Sequence, residues 1–479
     1  MCGFLGLAGG ESAELVKAFA LALPRLQHRG QESAGGSWSD GKHVDGYKAM
    51  GLVPVVFTEK RLQDMEASNI RMMIGHTRYS TSGKSSTRNA QPHWLHDRRG
   101  RFALCVNGDV PDLEDVKKKW EQKGMVFESS NDSEFLLKLI DYYIDVENPD
   151  WHEDFIHGIR RMMQTIRATY SGGLITGSLL YVFRDPHENR PLYIGHNNNG
   201  MFIAASETTV FDALNAEVER EVRGGEILVV KPNGEHHSVK GVDPKKRQRC
   251  IFEHIYFSRP DSKTPTGETC SCFRRRLGVK SAHHEKSLGL KYQIQCAISV
   301  PDSGNFFTDG YAVAMDLPLR IGIVKDGYVG RTFIDPGQDN RRLKADRKYS
   351  ILPETATGVY AADGTVLIKP VESGMFGEDS IVRLTTLLVL GKKIEAGGFK
   401  EIHIRVSSPP IVSPCHFGID MKTETELIAA NYSEEEIRDQ LGVASLLYLP
   451  LNYLDEVIKE GGEDPDDYCR KCFGAECAI

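Results

Sequence analysis

The chain is short of the features that would send it to a membrane or to nucleic acid. None of its apolar runs approaches the roughly 20 residues needed to span a bilayer. The net charge of -7 carries no basic excess of the kind that binds nucleic acid or a lipid surface. The first residues have neither the basic nor the long apolar region of a secretory signal, so a cytoplasmic location is expected. Internal repeats and low-complexity tracts are lacking as well. With 40% hydrophobic and 26% charged residues over 479 positions, two or three globular domains are expected. Ten cysteines in a cytoplasmic chain read as thiols or metal ligands rather than structural disulfides.

One of those cysteines stands at position 2, between Met1 and Gly3. Removal of Met1 would leave a first residue carrying both a thiol and a free α-amine. Their reference pKa values are roughly 8.5 and roughly 7.7–8.0, so the neutral amine is a credible base for its own thiol. Alone, the pattern equally describes a small residue that permits methionine removal.

Up to about residue 232 the chain is rich in short β-type runs, such as Phe102 to Val106 and Leu179 to Phe183, broken by Gly, Asn and Asp turns. A helix is expected to start near Asp132, Ser133 and Glu134, ahead of an apolar run from Phe135 to Ile140. Residues 231–249 read as a polar boundary. Beyond them strands are expected at 292–300, 319–324, 364–369 and 402–406, alternating with helices as in a parallel α/β sheet. The tail from 434 is expected to be helical.

Five N-terminal segments converge on one chemistry. They are Cys2-Gly3-Phe4; His28-Arg29-Gly30-Gln31-Glu32-Ser33-Ala34-Gly35; Gly75-His76-Thr77-Arg78-Tyr79-Ser80-Thr81; Asn107-Gly108; and Asn131-Asp132-Ser133-Glu134. Their order and spacing resemble the class II glutamine amidotransferases, which are N-terminal nucleophile (Ntn) hydrolases. The resemblance covers residues 2 to 230 and implies an αββα sandwich. It makes Cys2 the nucleophile, places the oxyanion on the Asn107 side chain and the Gly108 N–H, and sets Arg29 beside the nucleophile. Arg78 would take the substrate carboxylate through its two-pronged guanidinium, and Asp132 the substrate ammonium. Each residue alone has a plainer reading: Asn107-Gly108 as a turn, Asp132 as a helix cap, Arg78 as a surface charge. Where the family usually has Asn-Gly-Asn, this chain has Asp109 in third place.

The second half resembles glutamine phosphoribosylpyrophosphate (PRPP) amidotransferases and, through them, type I phosphoribosyltransferases. The resemblance rests on Cys250 to Ser262, on Lys325 to Ile334, and on Glu378-Asp379-Ser380-Ile381-Val382-Arg383-Leu384-Thr385-Thr386. It assigns PRPP to Glu378, Asp379, Ser380, Thr385 and Thr386, to Ser303 in the turn from Val300 to Gly304, and to Lys325, Tyr328 and Arg331 on a closing flap. Adjacent carboxylates suit ribose hydroxyls, and hydroxyls at a helix start suit a phosphate. Mg2+ is expected to arrive with PRPP, near Glu378 and Asp379. The chain departs from the family at Glu378 for Asp, Leu384 for Gly, Asp326-Gly327 for Asn-Arg, and Gly374 to Gly377 where a strand should run. Leucine in place of that glycine would obstruct a close phosphate approach or a positive φ. A plain N-cap cluster is the alternative for Glu378 to Ser380. A paralogue with a degenerate PRPP site, acting as a glutaminase or regulatory protein, is the alternative for the whole chain.

Cys250, Cys415, Cys469 and Cys472 match the four ligands of the [4Fe-4S] cluster found in one branch of that family. By chemistry alone four thiolates equally suit zinc. Cys270, Cys272 and Cys477 lie outside the set, and Cys105 and Cys296 read as buried small apolar residues. The expected organisation is a glutaminase domain over 2–232, an α/β phosphoribosyltransferase domain over 250–433, and a helical tail over 434–479 carrying two of the four thiols. The resemblance further implies a homotetramer and feedback inhibition by purine nucleotides.

Overall fold

The computed structural model describes residues 1–79, 85–144, 151–327 and 347–479, with the side chains of 151–154 excepted. Its first half is two stacked antiparallel sheets between helices. The strand Gly3–Ala8 shows why. Successive side chains leave a strand on opposite faces. Leu5 and Leu7 therefore join Leu15 and Phe19 of the helix Ser12–Ala22, while Phe4 and Ala8 meet Ile175, Leu180 and Val182 of the other sheet. A strand apolar on both faces has to run inside a sandwich.

The seven-stranded sheet runs in the order Ala216–Glu221, Tyr193–Asn197, Phe202–Ala205, Gly3–Ala8, Met72–Arg78, Ser33–Ser39, Val44–Met50. The six-stranded sheet runs His236–Lys240, Glu226–Val230, Leu180–Arg184, Thr169–Ile175, Gly100–Asp109, His93–Asp97. Helices Asp132–Tyr143 and Trp151–Thr165 cover its outer face through Phe135, Leu139, Phe155 and Ile159. The expected edge at residue 232 needs correcting. Asn233 and Gly234 form the turn of a hairpin, with Gly234 at φ +87°, and His236–Lys240 pairs back onto Glu226–Val230.

The second half is a five-stranded parallel sheet in the order Leu319–Arg320, Cys296–Ser299, Ser373–Glu378, Glu401–Val406, Ser445–Tyr448. The strand thought to be missing at Gly374 to Gly377 is its centre. The glycines serve packing: a Cβ on Gly377 would stand 2.0 Å from Thr308 Oγ1, so glycine lets the helix Asn305–Met315 lie against the strand. The strand expected at 364–369 is instead Val366–Ile368, in a separate hairpin with Val359–Tyr360. The expected 319–324 strand divides, and Ile323–Lys325 pairs with Tyr349–Ile351. The tail is not all helix, because Ser445–Tyr448 closes one edge of the sheet. Among the described residues no helix is long and apolar enough to cross a membrane.

Candidate functional site

Cys2 sits at the start of the middle strand of the seven-stranded sheet, where the paired strand Met72–Arg78 ends and the Gly100–Asp109 strand of the other sheet passes below. That crossing gathers most of the expected residues. The Cys2 N–H donates to Asn107 Oδ1 at 3.0 Å, and its thiol lies 3.6 Å from the Tyr79 carbonyl oxygen. Its own carbonyl accepts from Arg29 Nε at 2.8 Å. With Oδ1 so used, Asn107 Nδ2 is buried and has no hydrogen-bond acceptor among the described residues. An orphaned buried donor costs about 1–3 kcal/mol, and a fixed donor beside a thiol fits a developing oxyanion. Gly108 is held to glycine because a Cβ there would stand 2.2 Å from the Thr169 carbonyl oxygen.

The helix Asp132–Tyr143 is capped by Asn131, whose Oδ1 accepts from the Ser133 N–H at 2.8 Å. Asp132 is thereby not needed as the cap. Burial, then the nearby Asp109 and Cys2, push its carboxyl up to about 7, against the pull of Arg78. Arg78 is itself buried, with Nη1 at 2.8 Å from Glu32 Oε1. It is no surface charge. His76 Nε2 donates to the Val106 carbonyl at 3.1 Å, and burial lowers the ring to about 3. It is a neutral strand-to-strand tie.

Two acidic residues that sequence reasoning passed over complete this centre. The Arg29 guanidinium is fully buried between Glu207 (Nη1 to Oε1 2.5 Å) and Glu253 (Nη2 to Oε1 2.6 Å). Burial opposes the charge on Glu207, but His28 and Arg29 outweigh it and lower the carboxyl to about 2. Glu253 stands three residues after Cys250, inside a segment quoted for its resemblance, yet nothing in its spacing marks it as the partner of Arg29.

The second centre is a cavity at the carboxyl end of the parallel sheet, where α/β proteins hold ligands. Glu378, Asp379, Ser380, Thr386 and Ser303, residues the resemblance assigned to PRPP, all line it. Thr385 opens the helix Thr385–Ala396 that points its N-terminus there, but it is not among the lining residues. Lys325 pairs with Asp302 beside the cavity. Tyr328 and Arg331 lie outside the described residues. Lys348, Tyr349 and Tyr256 line the cavity without having been foreseen, and Tyr79 reaches it from the glutaminase half. Burial, then Asp379, raises the Glu378 carboxyl well above its ordinary value. Leu384 is not among the residues that line the cavity. Its backbone is right-handed at φ -72°, so no positive φ is required, and its side chain packs with Ile381 and Leu387.

The four thiols matched to a cluster also converge. Arg249–Cys250 pairs in parallel with Tyr468–Cys469, and the Cys472 carbonyl accepts from the Val412 and Ser413 N–H groups at 2.8 and 3.2 Å. Cys415 Sγ accepts from the Phe417 N–H at 3.4 Å. Burial raises the Cys250 thiol to about 11, and burial, then Cys250 and Cys415, raise that of Cys472 well above its ordinary value. Cys477 lies 3.2 Å from Cys469, sulfur to sulfur. Cys105 and Cys296 are buried, as expected; Cys270 is buried at a helix start and Cys272 is exposed.

A family model described as a glutamine amidotransferase domain matches residues 76–213. The chain is 35% identical over 479 residues to an amidophosphoribosyltransferase of Archaeoglobus fulgidus, covering 100% of this chain and 98% of that protein. It is 34% identical to one of Methanocaldococcus jannaschii, covering 98% and 96%. Among solved structures it resembles the glutamine PRPP amidotransferase from B. subtilis complexed with ADP and GMP, with a TM-score of 0.83 and 32% identity over 100% of this chain and 97% of that one.

Proposed function

The chain belongs to the amidophosphoribosyltransferase family, and from that premise we propose how its residues divide the work. It is a glutamine-dependent PRPP amidotransferase of purine biosynthesis, making 5-phosphoribosylamine, glutamate and pyrophosphate from PRPP, glutamine and water. In our reading residues from Cys2 to the hairpin ending at Lys240 release the ammonia, and the parallel α/β unit from residue 250 consumes it.

Once Met1 is removed, the Cys2 amine takes the thiol proton and the sulfur attacks the side-chain carbonyl carbon of glutamine. Asn107 Nδ2 and the Gly108 N–H receive the oxyanion. As the tetrahedral adduct collapses, the C–N bond breaks and the ammonium of Cys2 returns the proton to the leaving ammonia. Water then splits the thioester to glutamate. Arg78 and Asp132 hold the carboxylate and ammonium of glutamine, and Arg29 fixes the Cys2 backbone. The single observation that carries this reading is the division of Asn107, with Oδ1 holding the Cys2 nitrogen and Nδ2 buried without an acceptor.

Tyr79 joins the two centres, its carbonyl beside the thiol and the residue itself on the wall of the second cavity. Ammonia crossing there attacks C1 of the ribose and displaces pyrophosphate. Glu378 and Asp379 receive the ribose hydroxyls, Ser380, Thr385 and Thr386 the 5′-phosphate, and Ser303 and Lys325 the pyrophosphate; the flap residues Tyr328 and Arg331 belong to the same proposal. Mg2+ carried in with PRPP would lie near Glu378 and Asp379, and when bound would neutralise pyrophosphate charge. Burial, then Asp379, favours the protonated form of the Glu378 carboxyl, which opposes an anionic, hydroxyl-rich ligand less than a carboxylate would.

Cys250, Cys415, Cys469 and Cys472 are proposed to hold a [4Fe-4S] cluster, which when bound clips the tail to the acceptor unit. Buried thiols with raised pKa values fit a site completed by metal. A lone zinc would gather its sulfurs about 3.8 Å apart. Among the described residues no three cysteine sulfurs all lie within 4.8 Å of one another, a spacing that favours a wider cluster. Purine-nucleotide feedback is proposed from the ADP and GMP held by the B. subtilis relative. On family grounds the protein is taken as a cytoplasmic homotetramer.

The test is Cys2→Ala with Asn107→Ala beside it. The first abolishes glutamine-dependent synthesis while leaving ammonia-dependent synthesis from PRPP intact. The second lowers glutaminase kcat by about 10²–10³, the usual worth of one oxyanion donor. Retained glutamine-dependent synthesis in Cys2→Ala would overturn the reading.

A further inference from the structure

The six- and seven-stranded sheets meet at an open edge, far along the sandwich from Cys2, and three metal-binding side chains face one another there. His196 lies on Tyr193–Asn197 and Glu219 on the edge strand Ala216–Glu221, both in the seven-stranded sheet. His236 starts His236–Lys240, the edge strand of the six-stranded sheet. One donor atom from each lies within 4.8 Å of the other two. Glu219 Oε2 is 3.7 Å from His196 Nδ1 and 3.7 Å from His236 Nε2.

These distances are too long for hydrogen bonds, so the carboxylate serves neither ring as an ordinary partner. They are close to what an ion needs. Donors at 2.0–2.1 Å from a tetrahedral zinc stand about 3.3 Å apart, which is within a small rotamer adjustment of the observed spacing. The backbone aims the group. The register of Ala216–Glu221 against Tyr193–Asn197 shifts between Val218 and Arg220, leaving Glu219 as the extra residue of a bulge, a device that redirects a side chain. The two imidazoles stack 5.2 Å apart at 25°, and both pack against Phe202. The nearest cation, Arg220, places Nη1 and Nη2 on Glu226 at 2.9 and 2.8 Å, so Glu219 is not its main partner.

We propose that His196, Glu219 and His236 form a zinc-class divalent metal site that cross-links the two sheets of the glutaminase sandwich at their open edge. Two imidazoles and one carboxylate leave a fourth position for water, because all three side chains are partly exposed. The site lies apart from the thiols and from both reaction centres. Its consequence is stability and edge protection, since an ion that binds only the folded sandwich raises its unfolding free energy by mass action.

The experiment uses the complete holoprotein, dialysed free of loosely held ions and then equilibrated with zinc chloride near neutral pH. Wild type retains one zinc per chain more than His196→Gln/His236→Gln, and its thermal midpoint rises with zinc while that of the double variant does not. Cobalt in place of zinc binds without a sulfur charge-transfer band, separating this site from the thiols. Equal zinc content and equal midpoint shifts in the two proteins, or a thiolate band in the cobalt complex, overturns the proposal. Unchanged glutaminase activity without zinc verifies that the double variant folds. If it does not fold, Glu219→Gln serves instead. Its zinc affinity falls by more than about tenfold, since even partners outside the coordination sphere are worth that much; an unchanged affinity overturns the site.

Discussion

Arg29 and Glu253 face each other fork to fork, Nη1 at 2.9 Å from Oε2 and Nη2 at 2.6 Å from Oε1, with the same arginine holding the carbonyl of Cys2. The pair is wholly buried and spans the two halves of the chain. Glu253 belongs to the acceptor half, on the turn Glu253–Phe257 that begins just after Cys250, and two residues near it, Phe252 and Tyr256, line the second cavity. Cys2, the proposed nucleophile, is thus anchored, through one guanidinium, to the half of the chain proposed to use its ammonia.

Glu253→Ala should show both sides of that arrangement. Removing one partner of a buried pair leaves an uncompensated charge and costs about 3–5 kcal/mol. Urea unfolding reads that loss. Glutamine hydrolysis, assayed without PRPP, falls with it because the Cys2 backbone loses its clamp. A folded variant with undiminished hydrolysis would show that Glu253 is structural alone.

Asp132 should give glutamine recognition its pH dependence. Its carboxyl is raised to about 7 by burial, then by Asp109 and Cys2. A carboxyl that holds its proton more tightly folded than unfolded stabilises most below the ordinary carboxylate range, and this contribution falls as pH rises from there to about 7. Recognition runs the other way, because the ammonium of glutamine needs the ionised form. KM for glutamine therefore drops as pH rises through about 7 in the wild type and stays high and flat in Asp132→Asn. A flat profile in the wild type would remove Asp132 from the site.

Leu384→Gly restores the residue usual in the family, and the structure expects no gain from it. Leu384 packs among Ile381, Leu387 and Leu390 on a right-handed backbone. The substitution costs at least about 2–5 kcal/mol, the range for large-to-small core changes, and leaves KM for PRPP unimproved. A clear fall in that KM would mean that the leucine does obstruct the phosphate.

Cys472→Ser should release the tail. Anaerobically purified wild type is expected to carry iron and acid-labile sulfide in equal amounts, and the variant to lose both. Thermal stability and synthesis from ammonia drop together, because the thiol lost is one of the four proposed to clip the tail to the acceptor unit, while the backbone bonds from Val412 and Ser413 to the residue-472 carbonyl remain. One zinc and no sulfide in the wild type would replace the cluster with a simpler clip.

Much of the chemistry was legible in the linear order. The residues proposed as nucleophile, oxyanion donors and glutamine-binding charges could be singled out because they sit in short segments whose residue types the reaction demands. The carboxylate pair and hydroxyls of the second cavity were legible for the same reason, as was the helix at Asp132. The strand Ser373–Glu378 was not, since Gly374 and Gly377 look like breakers until a helix is seen packing on them. Ser445–Tyr448 hid among helices because a four-residue apolar run has no period of its own.

What the sequence by itself determined is the local repertoire: which residues can attack, accept a proton, grip a carboxylate or bind a metal. Tertiary structure alone decided which of them act together. Glu207 and Glu253 lie 178 and 224 positions from Arg29, and His236 lies in a different sheet from His196 and Glu219. The physical reason is the same in each case. Charge pairing and metal coordination act over a few ångströms, and only the closing of the two sheets and the docking of the parallel unit bring such distant positions within that reach.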